Sequence, residues 1–157
     1  MNQRLERLIQ LHQIKEEATQ RAYQELLKAK DQFTQNKLRH EQLVGYRQDY
    51  LQQLEALGNQ GSYVGRLRNR IDFINHLDTA LIQLNTHLAQ LAKIRTKCEL
   101  NYKEAKTSEE GVSKLIDRVK KTEQIKVQRS EQKESDEYAQ KQWYSKKINN
   151  LSNLFGE

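Results

Sequence analysis

Leucine and its apolar equivalents recur at spacings of three and four on both sides of one glycine-broken segment, and the two stripes are in matching phase. Taking Leu5 and Leu8 as the first pair and stepping by sevens yields Leu5, His12, Thr19, Leu26, Phe33, His40, Arg47, Leu54 and Leu8, Lys15, Ala22, Ala29, Asn36, Leu43, Tyr50, Leu57. After the break the rows are Leu67, Ile74, Leu81, Leu88, Arg95, Tyr102, Glu109, Ile116 and Arg70, Leu77, Leu84, Leu91, Cys98, Ala105, Val112, Val119. Each layer of an antiparallel coiled coil takes one residue from opposite rows, so the numbers of layer partners add to a constant, here 124 throughout. The predicted fold is all-α, a long two-helix antiparallel coiled-coil hairpin.

Composition agrees with exposed helices better than with a thick core: 31% of the residues are charged and none is proline. Three of the six glycines fall between Gly58 and Gly65. Of the three outside that segment, Gly111 and the terminal Gly156, but not Gly45, are strongly placed to stop a helix. Helix 1 is therefore expected over about 2–57, with Gly58 as a left-handed cap, a turn over 58–63, and helix 2 over about 64–147. The stripe of helix 2 ends at Val119, whose computed partner is Leu5, the first of helix 1. The seam then continues as Glu123, Lys126 and Ser130, so a charged C-terminal helix should project unpaired beyond about 120. Residues 1–147 form the expected hairpin domain, and 148–157, with Leu151, Leu154 and Phe155, are read as a flexible tail or a docking peptide. Gly111, after the possible capping box Thr107 to Glu110, marks an expected weak point or kink.

The layer rule sets Phe33 against Leu91, Leu43 against Leu81, Tyr50 against Ile74, and small Ala22 against large Tyr102. Lys15 falls opposite Glu109, where the two charges could pair. Arg47, Arg70 and Arg95 lie opposite apolar residues and are read as stems along the seam with their heads in water. Polar layers at His12, Asn36 and His40 thin the seam, and partners are expected to supply part of its stability.

Several function classes are disfavoured. Cys98 has no second cysteine to pair with, and its seam position predicts a small buried hydrophobe in a reducing compartment. Residues 1–20 lack the apolar core of a signal peptide, and no run approaches a membrane span, so no direct membrane insertion is expected. The net charge of +6 comes from 27 basic residues interspersed with 21 acidic ones, without a basic run or an aromatic-interleaved patch, so no nucleic acid is expected as a partner. His12, His40, His76 and His87 have no metal-like partners one turn away, and two helices enclose no dry cleft. No enzyme activity, metal or cofactor is expected, and the isolated chain should be monomeric.

Interaction surfaces remain. Leu43, Tyr46 and Tyr50 follow one line on helix 1, and Phe73, Leu77 and Ala80 follow its neighbour on helix 2. Leu43, Tyr50 and Leu77 are explained as seam, whereas Tyr46 and Phe73 are the surplus that points to docking. A second candidate is the end where Arg4, Arg7, Arg118, Lys120 and Lys121 should cluster, either as a solvated face or as a basic tip entering an acidic, ring-shaped partner.

The run Tyr46-Arg47-Gln48-Asp49-Tyr50-Leu51, the glycine-containing turn, the segment Phe73 to Ala80 and the late Asp136-Glu137-Tyr138-Ala139 resemble the flagellar FliJ family of the bacterial type III export apparatus. The resemblance implies a regulator of protein export, similar to the central coiled coil of a rotary ATPase stalk. Implied partners are the export ATPase hexamer, the cytoplasmic part of the membrane export gate, and export chaperones, at the cytoplasmic face of the inner membrane. The family's gate-binding strip falls here on Leu43, Tyr46, Tyr50, Phe73, Leu77 and Ala80. The basic end would enter the ATPase ring by analogy with stalks. Alternative readings are a stalk protein of a virulence type III system, or a generic coiled-coil scaffold or adaptor that dimerises through Ile9, Val44 and Leu51.

Overall fold

The computed structural model describes residues 2–59 and 64–156. They form two long α-helices packed against each other, α1 (Gln3–Asn59) and α2 (Val64–Phe155). The chain divides into two compact units, one of Ile14–Glu109 and one of Met1–Gln13 with Glu110–Glu157.

Helix α1 starts because Asn2 caps it. The Asn2 side-chain oxygen accepts from the Arg4 backbone N–H at 3.0 Å, and the Asn2 carbonyl accepts from the Glu6 N–H at 3.2 Å. Glu6 adds a carboxylate to the first turn, where the helix dipole favours it. At the other end α1 runs through Gly58 to Asn59. Gly58 is thus part of the last turn and not the left-handed cap that the sequence led us to expect. The rest of that expected turn, 60–63, lies outside the described residues.

Helix α2 also outruns expectation, continuing past 147 to Phe155. No proline and no glycine interrupts 112–155, so nothing in the backbone chemistry stops it earlier. Gly156 follows the last helical residue, and a Cβ there would lie 2.7 Å from the Ser152 carbonyl oxygen, a close approach that only glycine accepts. Gly111, the anticipated weak point, sits inside the continuous helix. Threonines survive inside both helices by bonding back one turn: Thr19 donates to the Lys15 carbonyl at 2.9 Å and Thr122 to that of Arg118 at 2.9 Å. Thr19 is buried, and this bond satisfies its hydroxyl.

In the unit Ile14–Glu109, the residues withdrawn from solvent are the assigned seam positions and a few neighbours. Leu26, Ala29, Ile74, Leu77 and Leu91 are buried. Contacts across the helices run in opposite order: Tyr23 meets Tyr102, Arg95 lies over Phe33, Arg47 bonds Asp78, and Tyr50 meets Phe73. The expected Lys15–Glu109 pair is not formed among the described residues. The Glu109 carboxylate is instead 3.9 Å from Lys106, one turn away on its own helix, where no second helix must be spanned.

In the other unit, Leu5, Leu8, His12 and Val112 are half-buried, and Ile116 and Val119 are buried. Asn2 donates to the Glu123 carboxylate at 3.0 Å. Past Glu123, every residue from 124 to 156 is exposed.

Candidate partner-binding surfaces

The aromatic strip lies in the unit Ile14–Glu109. Leu77 is buried and Leu43, Tyr50 and Ala80 are half-buried, as seam residues must be. Tyr46 and Phe73 remain 54% and 41% exposed, which separates them from the seam residues of the strip. The Tyr50 and Phe73 rings pack with centroids 4.5 Å apart and planes tilted by 35°, so α1 and α2 contribute to one surface.

Two arginines frame this strip, and neither points simply into water. Arg47 donates from Nε to the Asp78 carboxylate at 2.5 Å. Arg70 donates to the Gln53 side-chain oxygen and lies over the Tyr50 ring, 5.5 Å from its centroid. Arg95 lies over the Phe33 ring at 4.4 Å. The stems follow the seam as expected, but the heads are held by aromatic faces and polar neighbours. Asp78 immediately follows Leu77, the computed layer partner of Arg47, so this ion pair was legible in the sequence and was missed.

A second tyrosine pair was also missed. Tyr23 is exposed and its ring centroid lies 5.5 Å from that of Tyr102, in a groove that Gln20, Lys106 and Glu109 help to line. The signal was Tyr23 itself, which immediately follows Ala22, the layer partner of Tyr102.

The basic end belongs to the other unit. Arg4 and Arg118 line one shallow groove with Leu115, Val119 and Glu123. Arg7, Lys120 and Lys121 are exposed and do not line it. The structure therefore joins two of the five candidate cations in one groove, and Glu123, bonded to Asn2, places a negative charge among them.

Cys98 is half-buried, less enclosed than its seam position led us to expect. His12 and His40 are half-buried, while His76 and His87 are exposed. Among the described residues no cluster of three or more His, Cys, Asp or Glu could hold a metal ion, and no helix is long and apolar enough to cross a membrane.

A family model described as "Flagellar FliJ protein" matches residues 3–147. No curated protein and no solved structure matches the chain.

Proposed function

Since the chain belongs to the flagellar FliJ family, whose members are components of the flagellar type III export apparatus, we propose that it acts there as a stalk. It would be an antiparallel coiled-coil hairpin with a projecting C-terminal helix that couples the export ATPase hexamer to the cytoplasmic part of the export gate and assists export chaperones at the cytoplasmic face of the inner membrane. The observation that carries this reading is the exposure of Tyr46 and Phe73 beside a seam that does not need them. A partner covering them would remove apolar surface from water, while the flanking Arg47 and Arg70 are already held by Asp78 and Gln53. Export through such a rod needs no bond chemistry in the chain itself; the mechanism is conformational coupling along packed helices.

The gate surface comprises Leu43, Tyr46, Tyr50, Phe73, Leu77 and Ala80. Leu43, Tyr50 and Leu77 hold the rods together, whereas Tyr46 and Phe73 meet the partner. The double variant Tyr46→Ala, Phe73→Ala should keep its helicity and bind the purified cytoplasmic domain of the gate at least about tenfold more weakly, as loss of two aromatic anchors does. Unchanged binding and unchanged secretion would remove the strip from the mechanism. For the ATPase ring, Arg4 and Arg118 form the groove, and Arg7, Lys120 and Lys121 supply free positive charge. Reversing Arg7 and Lys120 to Glu should reduce stimulation of the ATPase, most clearly at low salt.

The flagellar description of the matching model favours the flagellar apparatus over a virulence system. Self-association through Ile9, Val44 and Leu51 is supported only by the exposure of Ile9 and Val44, since Leu51 is half-buried. Sedimentation equilibrium separates the two readings, because a stalk stays monomeric as its concentration rises.

A further inference from the structure

The end of α2 carries an apolar face that no other helix covers among the described residues. Trp143, Tyr144, Ile148, Leu151, Leu154 and Phe155 are all exposed, Trp143 at 56%, Leu154 at 76% and Phe155 at 85%. At the turn of an α-helix these six residues fall within an arc of about 140°, wider than a two-stranded seam requires. Ser145, Asn149, Ser152 and Asn153 occupy the opposite side. The family model stops at residue 147, so most of this face lies beyond what the matched family describes.

Charge indicates what covers it. Between Glu137 and Glu157 the chain has three lysines, Lys141, Lys146 and Lys147, and no acidic residue. Two copies of this segment laid face to face would set lysine against lysine. An anionic lipid surface meets the same charges with the opposite sign, and each lysine near such a surface adds favourable energy. The composition of the face points the same way, since tryptophan and tyrosine have an apolar body with a polar handle and settle at the level of lipid headgroups. Lys147 sits within the apolar arc with its ammonium 4.8 Å from the Trp143 ring centroid, a chain with an apolar stem and a charged end that can reach the headgroups.

We infer that residues 143–155 are an interfacial helix that lies on an anionic bilayer surface, its Trp143–Phe155 face in the headgroup and acyl boundary and its lysines on the phosphates. The helix adsorbs and does not cross, in keeping with the lack of any spanning helix among the described residues. This inference does not depend on the stalk reading or on the Tyr46–Phe73 strip.

Trp143 is the only tryptophan in the chain, so its emission reports on this face directly. The full-length protein is titrated with vesicles of phosphatidylglycerol and phosphatidylcholine, and in parallel with vesicles of phosphatidylcholine alone. The expected result is a shift of Trp143 emission to shorter wavelength and co-sedimentation on the anionic vesicles, weakened by added salt. The double variant Ile148→Asp, Phe155→Asp should partition at least about tenfold more weakly, and Lys146→Glu, Lys147→Glu about tenfold more weakly. All four residues are exposed, so circular dichroism should confirm that the fold is intact. The inference is overturned by an unshifted emission on anionic vesicles, or by equal binding to the neutral ones. An emission shift that grows with protein concentration without lipid would assign the face to a second copy and overturn it as well. Gate binding measured on the same variants should be unchanged, which keeps this outcome separate from that of the stalk.

Discussion

Residues 14–109 and residues 124–156 use the same backbone, the same absence of proline and a similar wealth of charge, yet they are held in helical form by different means. In the first region a residue on nearly every turn withdraws from solvent onto a facing helix, with Leu26, Ala29, Ile74, Leu77 and Leu91 buried. In the second no residue is covered, and helix rests on propensity and on contacts within one helix, such as Gln132 donating to Asp136 at 3.0 Å and Gln142 to the Tyr138 hydroxyl at 2.8 Å. Pairs of that kind contribute a few tenths of a kcal/mol each, whereas a covered leucine contributes about 2 kcal/mol or more. The contrast teaches that helix content is a poor guide to stability in such a chain; the covered stripe is the guide.

The largest expected effect exploits that contrast. Leu91→Ala removes a buried seam side chain and should destabilise its region by about 2–5 kcal/mol, toward the lower end because a two-helix seam collapses more easily than a thick core. Val127→Ala, in the exposed region, should change stability by less than about 0.5 kcal/mol. Native-state hydrogen exchange on the two variants tests both, since the amides of 74–91 should lose protection in the first and keep it in the second. Equal effects would mean that residues near 127 are covered by something other than solvent.

This division was largely legible in the sequence. The heptad rows named positions that prove to be buried or half-buried in both units, and the turn of those rows to Glu123, Lys126 and Ser130 after Val119 agrees with the exposure of 124–156. Where the reading missed, the causes are local. Gly58 was taken as a cap because glycine tolerates a left-handed backbone, but that tolerance does not compel a turn, and the helix simply passed through. The end near 147 was placed before the stretch of Leu151, Leu154 and Phe155, read as a tail, although nothing there forbids helix before Gly156. Arg47, Arg70 and Arg95 were assigned to water because a heptad register fixes where a stem starts and says nothing about where a long, flexible side chain ends. The candidate surfaces followed the same rule: the strip could be located from register, while the groove of Arg4 and Arg118 depended on side-chain reach.

A middle-sized effect sharpens the comparison from the glycines. Gly111 lies inside α2, and a Cβ added there meets nothing within 4 Å. Gly111→Ala should therefore stabilise the helix by about 1 kcal/mol, through higher helix propensity and a less flexible unfolded chain. Gly45→Ala, equally open, should do the same within α1. Urea titration followed by circular dichroism measures both. If Gly111→Ala stabilises the chain but lowers secretion, the helix needs to yield at that point during its work, and the stability gain and the functional loss would come from the same residue.

The smallest effect tests whether polar contacts add to the seam at all. Arg47 and Asp78 form the one ion pair found across the two helices among the described residues, and their side chains are 37% and 42% exposed. Water competes for both charges, and ordering two flexible side chains costs entropy, so a double-mutant cycle with Arg47→Ala and Asp78→Ala should give a coupling of only about 0.2–1 kcal/mol. That coupling should shrink further as salt is raised. Arg47→Ala by itself should cost more than the coupling, because the arginine stem also lies along the seam against apolar neighbours. A coupling above about 2 kcal/mol would show that the pair is shielded from water in solution. The strip beside it would then have to be counted as part of the covered seam, leaving Tyr46 with far less surface to offer a partner.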